Sequence, residues 1–194
     1  DAGVLEDAML FSTLDTTTRS LVLDGTQEIL ITDTVGFIRK LPHPLVEAFK
    51  STLEEAKYAD IIIHVVDASN PRMDEQMHVV YDTLRQLGAE GKPVITLFNK
   101  QDKMDHEVRV RDFQAEYTIP CSAKTGQGLE ELRQALLEII RRDQVYIERL
   151  YDFAEAGNIQ LIRSRGQLIS EEYVPDGIEV KAYVPMEIYP LLNK

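Results

Sequence analysis

Apolar residues recur along this chain first with a period of two, then with a period near 3.6, and the switch between the two rhythms repeats. Arg19 to Leu23, the turn Asp24-Gly25, and Glu28 to Thr32 read as two antiparallel strands joined by a tight hairpin. Leu45, Phe49, Leu53 and Ala56 then recur at helical spacing. They lead into Ile61 to Val66, an almost continuous β-branched run of the kind buried on both faces of a parallel sheet. Met77, Val80, Leu84 and Leu87 predict a second helix, ended near Gly88 and Gly91 and followed by a strand from Val94 to Phe98. A short helix around Val108 to Phe113 and a strand through Thr118 to Cys121 come next. A helix from Gly128 to about Arg142 follows, with Leu129, Leu132, Leu136 and Ile139 on one face. Strands alternating with helices predict an α/β fold whose mostly parallel sheet carries helices on both faces.

After Arg142 the pattern changes. Tyr146 to Leu150 reads as a strand and Tyr151 to about Arg163 as a helix. Gln167 to Val174 and Gly177 to Val184 form a hairpin turning at Pro175-Asp176-Gly177. The expected division is therefore an α/β body over residues 1–143 and a small α+β domain over residues 144–194, with no internal repeat.

Composition narrows the setting. The chain has 194 residues, 44% hydrophobic and 28% charged, enough for one domain with a substantial core and a small appendage. It has no run of about 18 apolar residues, and the single Cys121 sits where a small buried hydrophobe belongs. A cytoplasmic location follows as the expectation. A net charge of −12 disfavours nonspecific attraction to nucleic acid or anionic membrane, and nothing points to sequence-specific DNA. Arg141-Arg142 and Arg163/Arg165 are the candidates for a local basic patch on phosphates, and they read more naturally as helix-end charges. Of the histidines, His64 lies in an apolar strand as a core residue. His43, His78 and His106 look exposed, and no Cys/His spacing suggests zinc.

Chemistry concentrates at strand ends. Asn99-Lys100-Gln101-Asp102 follows the run Val94 to Phe98 directly. An aspartate there can accept from both N1-H and the 2-amino group of guanine, donors that adenine does not present, so it selects the base. Asp33-Thr34-Val35-Gly36 follows the strand ending at Thr32. The Asp33 carboxylate can hold Mg2+ through a water, while Gly36, lacking a Cβ, lets its backbone N–H approach a γ-phosphate. Ser122-Ala123-Lys124 again ends a strand, placing backbone N–H groups near guanine O6 and a lysine stem along the base. Each motif alone is common. In this order, at the edge where open α/β sheets bind ligands, they point together to GTP/GDP. Thr13 in Phe11-Ser12-Thr13-Leu14-Asp15 is the candidate for a hydroxyl on Mg2+ and an N–H on the γ-phosphate. Thr16, Thr17 and Thr18 compete with it in one loop.

Phe-Ser-Thr-Leu-Asp-Thr-Thr-Thr-Arg from Phe11, Asp-Thr-Val-Gly-Phe-Ile-Arg-Lys-Leu-Pro from Asp33, Val-Val-Asp-Ala-Ser from Val65 and Glu-Glu-Tyr-Val-Pro-Asp-Gly-Ile near the end carry a family likeness. They resemble the HflX family of translation-associated GTPases, over nearly the whole chain. The resemblance implies a P-loop GTPase-type (Ras-like) fold and a small C-terminal domain. It implies switch I at Thr13 and switch II from Asp33, with Thr13 and Gly36 serving catalysis and Thr13 and Asp33 serving Mg2+. It implies guanine recognition by Asn99, Lys100 and Asp102 with support from Ser122, Ala123 and Lys124. It also implies association with the large ribosomal subunit and, in some members, separation of stalled ribosomes.

Two departures qualify that expectation. Phe37 stands where Ras-like enzymes place the glutamine that orients water, so turnover is expected to be slow, with water positioned by other groups or by a ribosomal partner. A phosphate cradle Gly-x4-Gly-Lys-Ser/Thr is lacking from the 194 residues. The only Gly-Lys pair, Gly91-Lys92, precedes Pro93. In the family that loop precedes switch I, upstream of Asp1, and its strand sits inside the sheet. These residues alone are therefore expected to be weakly active or inactive. The alternative reading is a nucleotide-independent protein or ribosome interaction module; a phosphoacceptor domain built on Asp33 and Asp67 is a third.

Overall fold

The computed structural model describes residues 17–24, 27–34, 55–104 and 110–193. Within them β1 (Thr17–Val22) and β2 (Glu28–Asp33) pair as a two-stranded sheet, as the hairpin pattern predicts. The chain then builds β3 (Ile62–Asp67), α1 (Met73–Gln86), β4 (Val94–Asn99), β5 (Tyr117–Pro120) and α2 (Leu129–Arg141). Strands β3, β4 and β5 lie side by side in that order, all parallel. Ile62 to Asp67 face Val94 to Asn99 in unbroken register, so both strands end at one level and deliver Asp67 and Asn99 to the same edge.

Strand β4 is buried from Val94 to Phe98 because it has a neighbour on each side. Strand β3 departs from the pattern of a run buried on both faces: Val66 is buried, but Val65 is 58% exposed. Among the described residues α1 covers one face of this sheet, and Val65 points the other way. Helix α1 packs Val80, Tyr81 and Leu84 against Val94 and Ile62, and its Met73 and Met77 against Val66 and Phe98. It stops where the periodicity places its end. Gly88 takes φ 70, and Ala89 N reaches back to Leu84 O, capping the last carbonyls.

Two helix readings before Asp143 need correction. No helix forms over the described part of Val108 to Phe113: residues 110–112 are irregular and Phe113 is 85% exposed. Asp112 is turned inward instead, and its Oδ1 accepts from Gln114 N at 3.0 Å, an aspartate turn that competes with helix. Leu129 is also half exposed at the start of α2, whose buried face is Ala135, Leu136, Leu137 and Ile139. Of the helix expected from Leu45, Phe49, Leu53 and Ala56, only the end is described, and residues 55–58 are helical; Leu45 to Leu53 lie outside the described residues.

The remaining elements are β6 (Gln144–Tyr151), α3 (Ala156–Arg165), β7 (Gln167–Val174) and β8 (Gly177–Pro185). They form an antiparallel sheet in the order β6-β8-β7. The helix expected from Tyr151 begins later. Tyr151 is the buried last residue of β6, and Asp152 caps a short 3-10 turn before α3. One face of this sheet and α3 enclose a core of Ile147, Tyr151, Ile159, Ile162, Val180, Ala182 and Val184. Contacts divide the chain into two compact units, Leu30–Leu132 with the chain up to Arg19, and Arg133–Lys194 with the hairpin tip Ser20–Ile29.

Candidate functional site

Parallel pairing places the C-terminal ends of β3, β4 and β5 together, and three loops begin there. The loop after β4 opens with Asn99, whose Oδ1 accepts from Lys100 N at 2.8 Å and from Ala123 N at 2.9 Å. One side chain thus joins the loop after β4 to the loop after β5. Gln101 is buried beneath them, its N donating to Cys121 O at 3.1 Å and its Nε2 to Phe98 O at 3.1 Å.

Asp102 lies over this frame. Ser122, fully buried, donates its hydroxyl to Asp102 Oδ1 at 2.7 Å, and Lys124 Nζ stands 3.8 Å from Oδ2. The Ser122 hydrogen bond, with smaller help from Lys124 and Lys103, holds the Asp102 carboxyl below its ordinary value despite some desolvation. It is therefore an ionised, acceptor-only group whose orientation is set from below. Ser122 is itself fixed, its N donating to Gln127 O and its O accepting from Gly126 N at 2.8 Å.

On the other side stands Asp67. Its Oδ1 accepts from Ser69 N at 3.0 Å and Ser69 Oγ at 2.6 Å, and its Oδ2 meets Lys100 Nζ at 2.7 Å. Partial burial pushes this carboxyl up, but the bonds from Lys100 and Ser69 outweigh it and leave the value lowered.

The sequence candidates thus divide by place. Asn99, Lys100, Asp102, Ser122 and Ala123 come together through hydrogen bonds, with Lys124 beside Asp102 at ion-pair distance. Asp33 ends β2 with its side chain exposed, and Thr13 and Gly36 lie outside the described residues. No group of three or more His, Cys, Asp or Glu side chains suited to a metal occurs among the described residues.

A family model described as "50S ribosome-binding GTPase" matches residues 3–100, about half the chain. The protein named GTPase HflX of Lacrimispora saccharolytica is 61% identical over 99% of this chain. The chain belongs to the HflX family of GTPases. It is also 44% identical, over 92% of its length, to GTPase HflX of Caldanaerobacter subterraneus. It spans about half the length of these relatives, 45% and 41%. Among solved structures, the complex of SsGBP with GDP superposes with a TM-score of 0.55 at 30% identity, covering 63% of this chain and 41% of that one. The α/β, P-loop GTPase-type fold expected from the sequence is thereby established for the body of this HflX-family chain.

Two residues of the cluster escaped sequence reasoning. Asp67 enters the sequence reading only in a family motif and a phosphoacceptor alternative, and its register opposite Asn99 is what brings it to Lys100. Gly128 looked like an ordinary helix start, yet it has φ 80 and lies against the backbone of Pro120 and Cys121. A glycine directly before a helix that follows a strand-end Ser-Ala-Lys was the available signal.

Proposed function

We propose that the chain carries the base-recognition corner of a GTP-binding, GTP-hydrolysing protein. The observation that supports this best is the join between the loops after β4 and β5. Asn99 Oδ1 ties Lys100 to Ala123, and Ser122 ties down one oxygen of Asp102. An ionised carboxylate held this way suits the N1-H and 2-amino donors of guanine, while Lys124, 82% exposed, is placed to cover a base. The likeness to SsGBP in complex with GDP agrees with that assignment.

For the phosphate side, Thr13 and Gly36 are assigned to the γ-phosphate, and Thr13 and Asp33 to Mg2+, on their motifs. Asp33 is an exposed carboxylate at a strand's C-terminal end, a hard oxygen donor of the kind Mg2+ takes together with waters. Mg2+, when bound, would neutralise phosphate charge. The cytoplasm and the large ribosomal subunit complete the reading as setting and partner, the latter in keeping with the wording of the family model.

The decisive experiment is titration of the whole protein with fluorescent GDP and xanthosine diphosphate. Asp102→Asn should weaken GDP binding by about 100-fold or more and make xanthosine diphosphate the preferred ligand. No GDP binding before or after the mutation would favour the interaction-module reading instead, and GDP binding with an unchanged preference in the variant would remove Asp102 from base recognition.

A further inference from the structure

We propose that Asp67 is a positioning residue for base recognition, holding the Lys100 ammonium and thereby fixing the turn from which Asp102 is presented. This inference rests on the guanine reading above. It begins with backbone: Asp67 and Asn99 are register partners at the ends of β3 and β4, and Ala68 N donates to Asn99 O at 2.9 Å. The loops that leave these strands therefore start from a common, hydrogen-bonded level.

Lys100 is the only non-glycine residue with positive φ among those described, at φ 70 and ψ 31. A side chain with a Cβ is disfavoured there and persists only when its surroundings hold it. Asn99 Oδ1 holds the Lys100 N–H, and Asp67 holds the other end of the residue. Asp67 is itself prevented from turning, because Ser69 occupies Oδ1 with both its N–H and its hydroxyl. That leaves Oδ2 aimed at the ammonium. The pair is only partly exposed, 43% for Lys100 and 32% for Asp67, and it is clamped at both ends, unlike a loose surface ion pair.

With its head group held, Lys100 offers its aliphatic stem to a ligand rather than a free charge. Its backbone then delivers the 3-10 turn Gln101–Lys103 that carries Asp102. Asp67 acts on the base through Lys100 and need not touch it.

The test is a double-mutant cycle in the whole protein, reading the affinity for GDP and the ratio of GDP to IDP affinity, since inosine lacks the 2-amino group. Asp67→Asn should weaken GDP binding about tenfold and narrow the GDP/IDP ratio, while Asp67→Glu recovers part of both. Asp67→Asn/Lys100→Met should bind no more weakly than Lys100→Met alone. A general loss of fold would lower the melting temperature without changing the ratio. Should Asp67→Asn prove unstable, Ser69→Ala, which removes the hydroxyl and leaves Oδ1 held by the backbone N–H alone, should narrow the ratio in the same direction and by less. Additive losses, or an unchanged ratio in a protein whose Asp102→Asn variant does switch to xanthine, would overturn the role of Asp67 alone. An Asp102→Asn variant that does not switch would overturn the site reading and this inference with it.

Discussion

A Cβ built on Gly128 would come within 2.6 Å of the Pro120 carbonyl oxygen and 2.7 Å of Cys121 Cβ, and the residue's φ is 80. Both obstacles are fixed parts of the loop frame, so Gly128→Ala has to move the backbone that leads into Ser122. We expect a loss of roughly 2–4 kcal/mol in urea unfolding, with GDP affinity falling alongside it. Charge at this scale follows the same geometry. Asp67 and Asp102 have folded carboxyl values below the ordinary 3.8, so the stability they add is complete above that value. It is lost only as pH falls through the lower folded values. Asn99, Asp102 and Ser122 were legible because each belongs to a run of consecutive residues at a strand end. Asp67 and Gly128 matter through neighbours distant in sequence, which composition and spacing do not display.

At the level of elements, the packing of α1 on the parallel sheet encloses a polar network. Tyr81 donates to Asp112 Oδ2 at 2.5 Å and Thr96 Oγ1 to the same oxygen at 2.7 Å, and His64 meets Tyr81 edge to face with ring centroids 5.4 Å apart. Desolvation lowers the His64 value from 6.5, only partly offset by the nearby Asp112 carboxylate, and its Nδ1 has no hydrogen-bond partner among the described residues. A depressed folded value means that the unfolded chain takes up the proton first. Stability is therefore full above pH 6.5 and declines as pH falls through the folded value. His64→Phe keeps an aromatic ring against Tyr81 and removes the titration. We expect it to flatten the stability profile between about pH 7 and pH 5, measured by denaturant midpoints. This network also explains why the pattern around Val108 to Phe113 misled. Apolar spacing suggested a helix, but Asp112 is drawn inward by two hydroxyl donors that lie 31 and 16 residues away. Helices α1 and α2 and all the strands were readable because their apolar periodicity extends over several turns or alternations.

Across the whole molecule, contacts follow a division that chain order does not. The hairpin tip groups with residues after Leu132, and arginines of α2 account for this. Arg133 donates to Leu23 O at 3.0 Å, and Arg141 binds Asp24 at 2.8 Å while its guanidinium lies 4.2 Å from the ring centroid of Tyr183. The sequence marked Arg141 as a helix-end charge, and the hairpin and β8 turn out to supply its partners. Arg163 and Arg165 pair likewise with Glu171 and Glu187. Because Asp24 is half exposed, the ion pair is screened, and the stacked ring carries much of the interaction. Arg141→Ala should cost about 1 kcal/mol, and Arg141→Lys should recover little of it because an ammonium cannot stack as a guanidinium does. Thermal melts of the three proteins at low and high salt would separate the two contributions.

The bond from Asn99 to Ala123 spans 24 residues. During synthesis the recognition tetrad therefore leaves the ribosome well before the segment that shapes it, and β5 with its following loop must arrive before Asn99 and Asp102 find their partners. A nascent chain halted between the two would display the letters of a guanine site without its grammar.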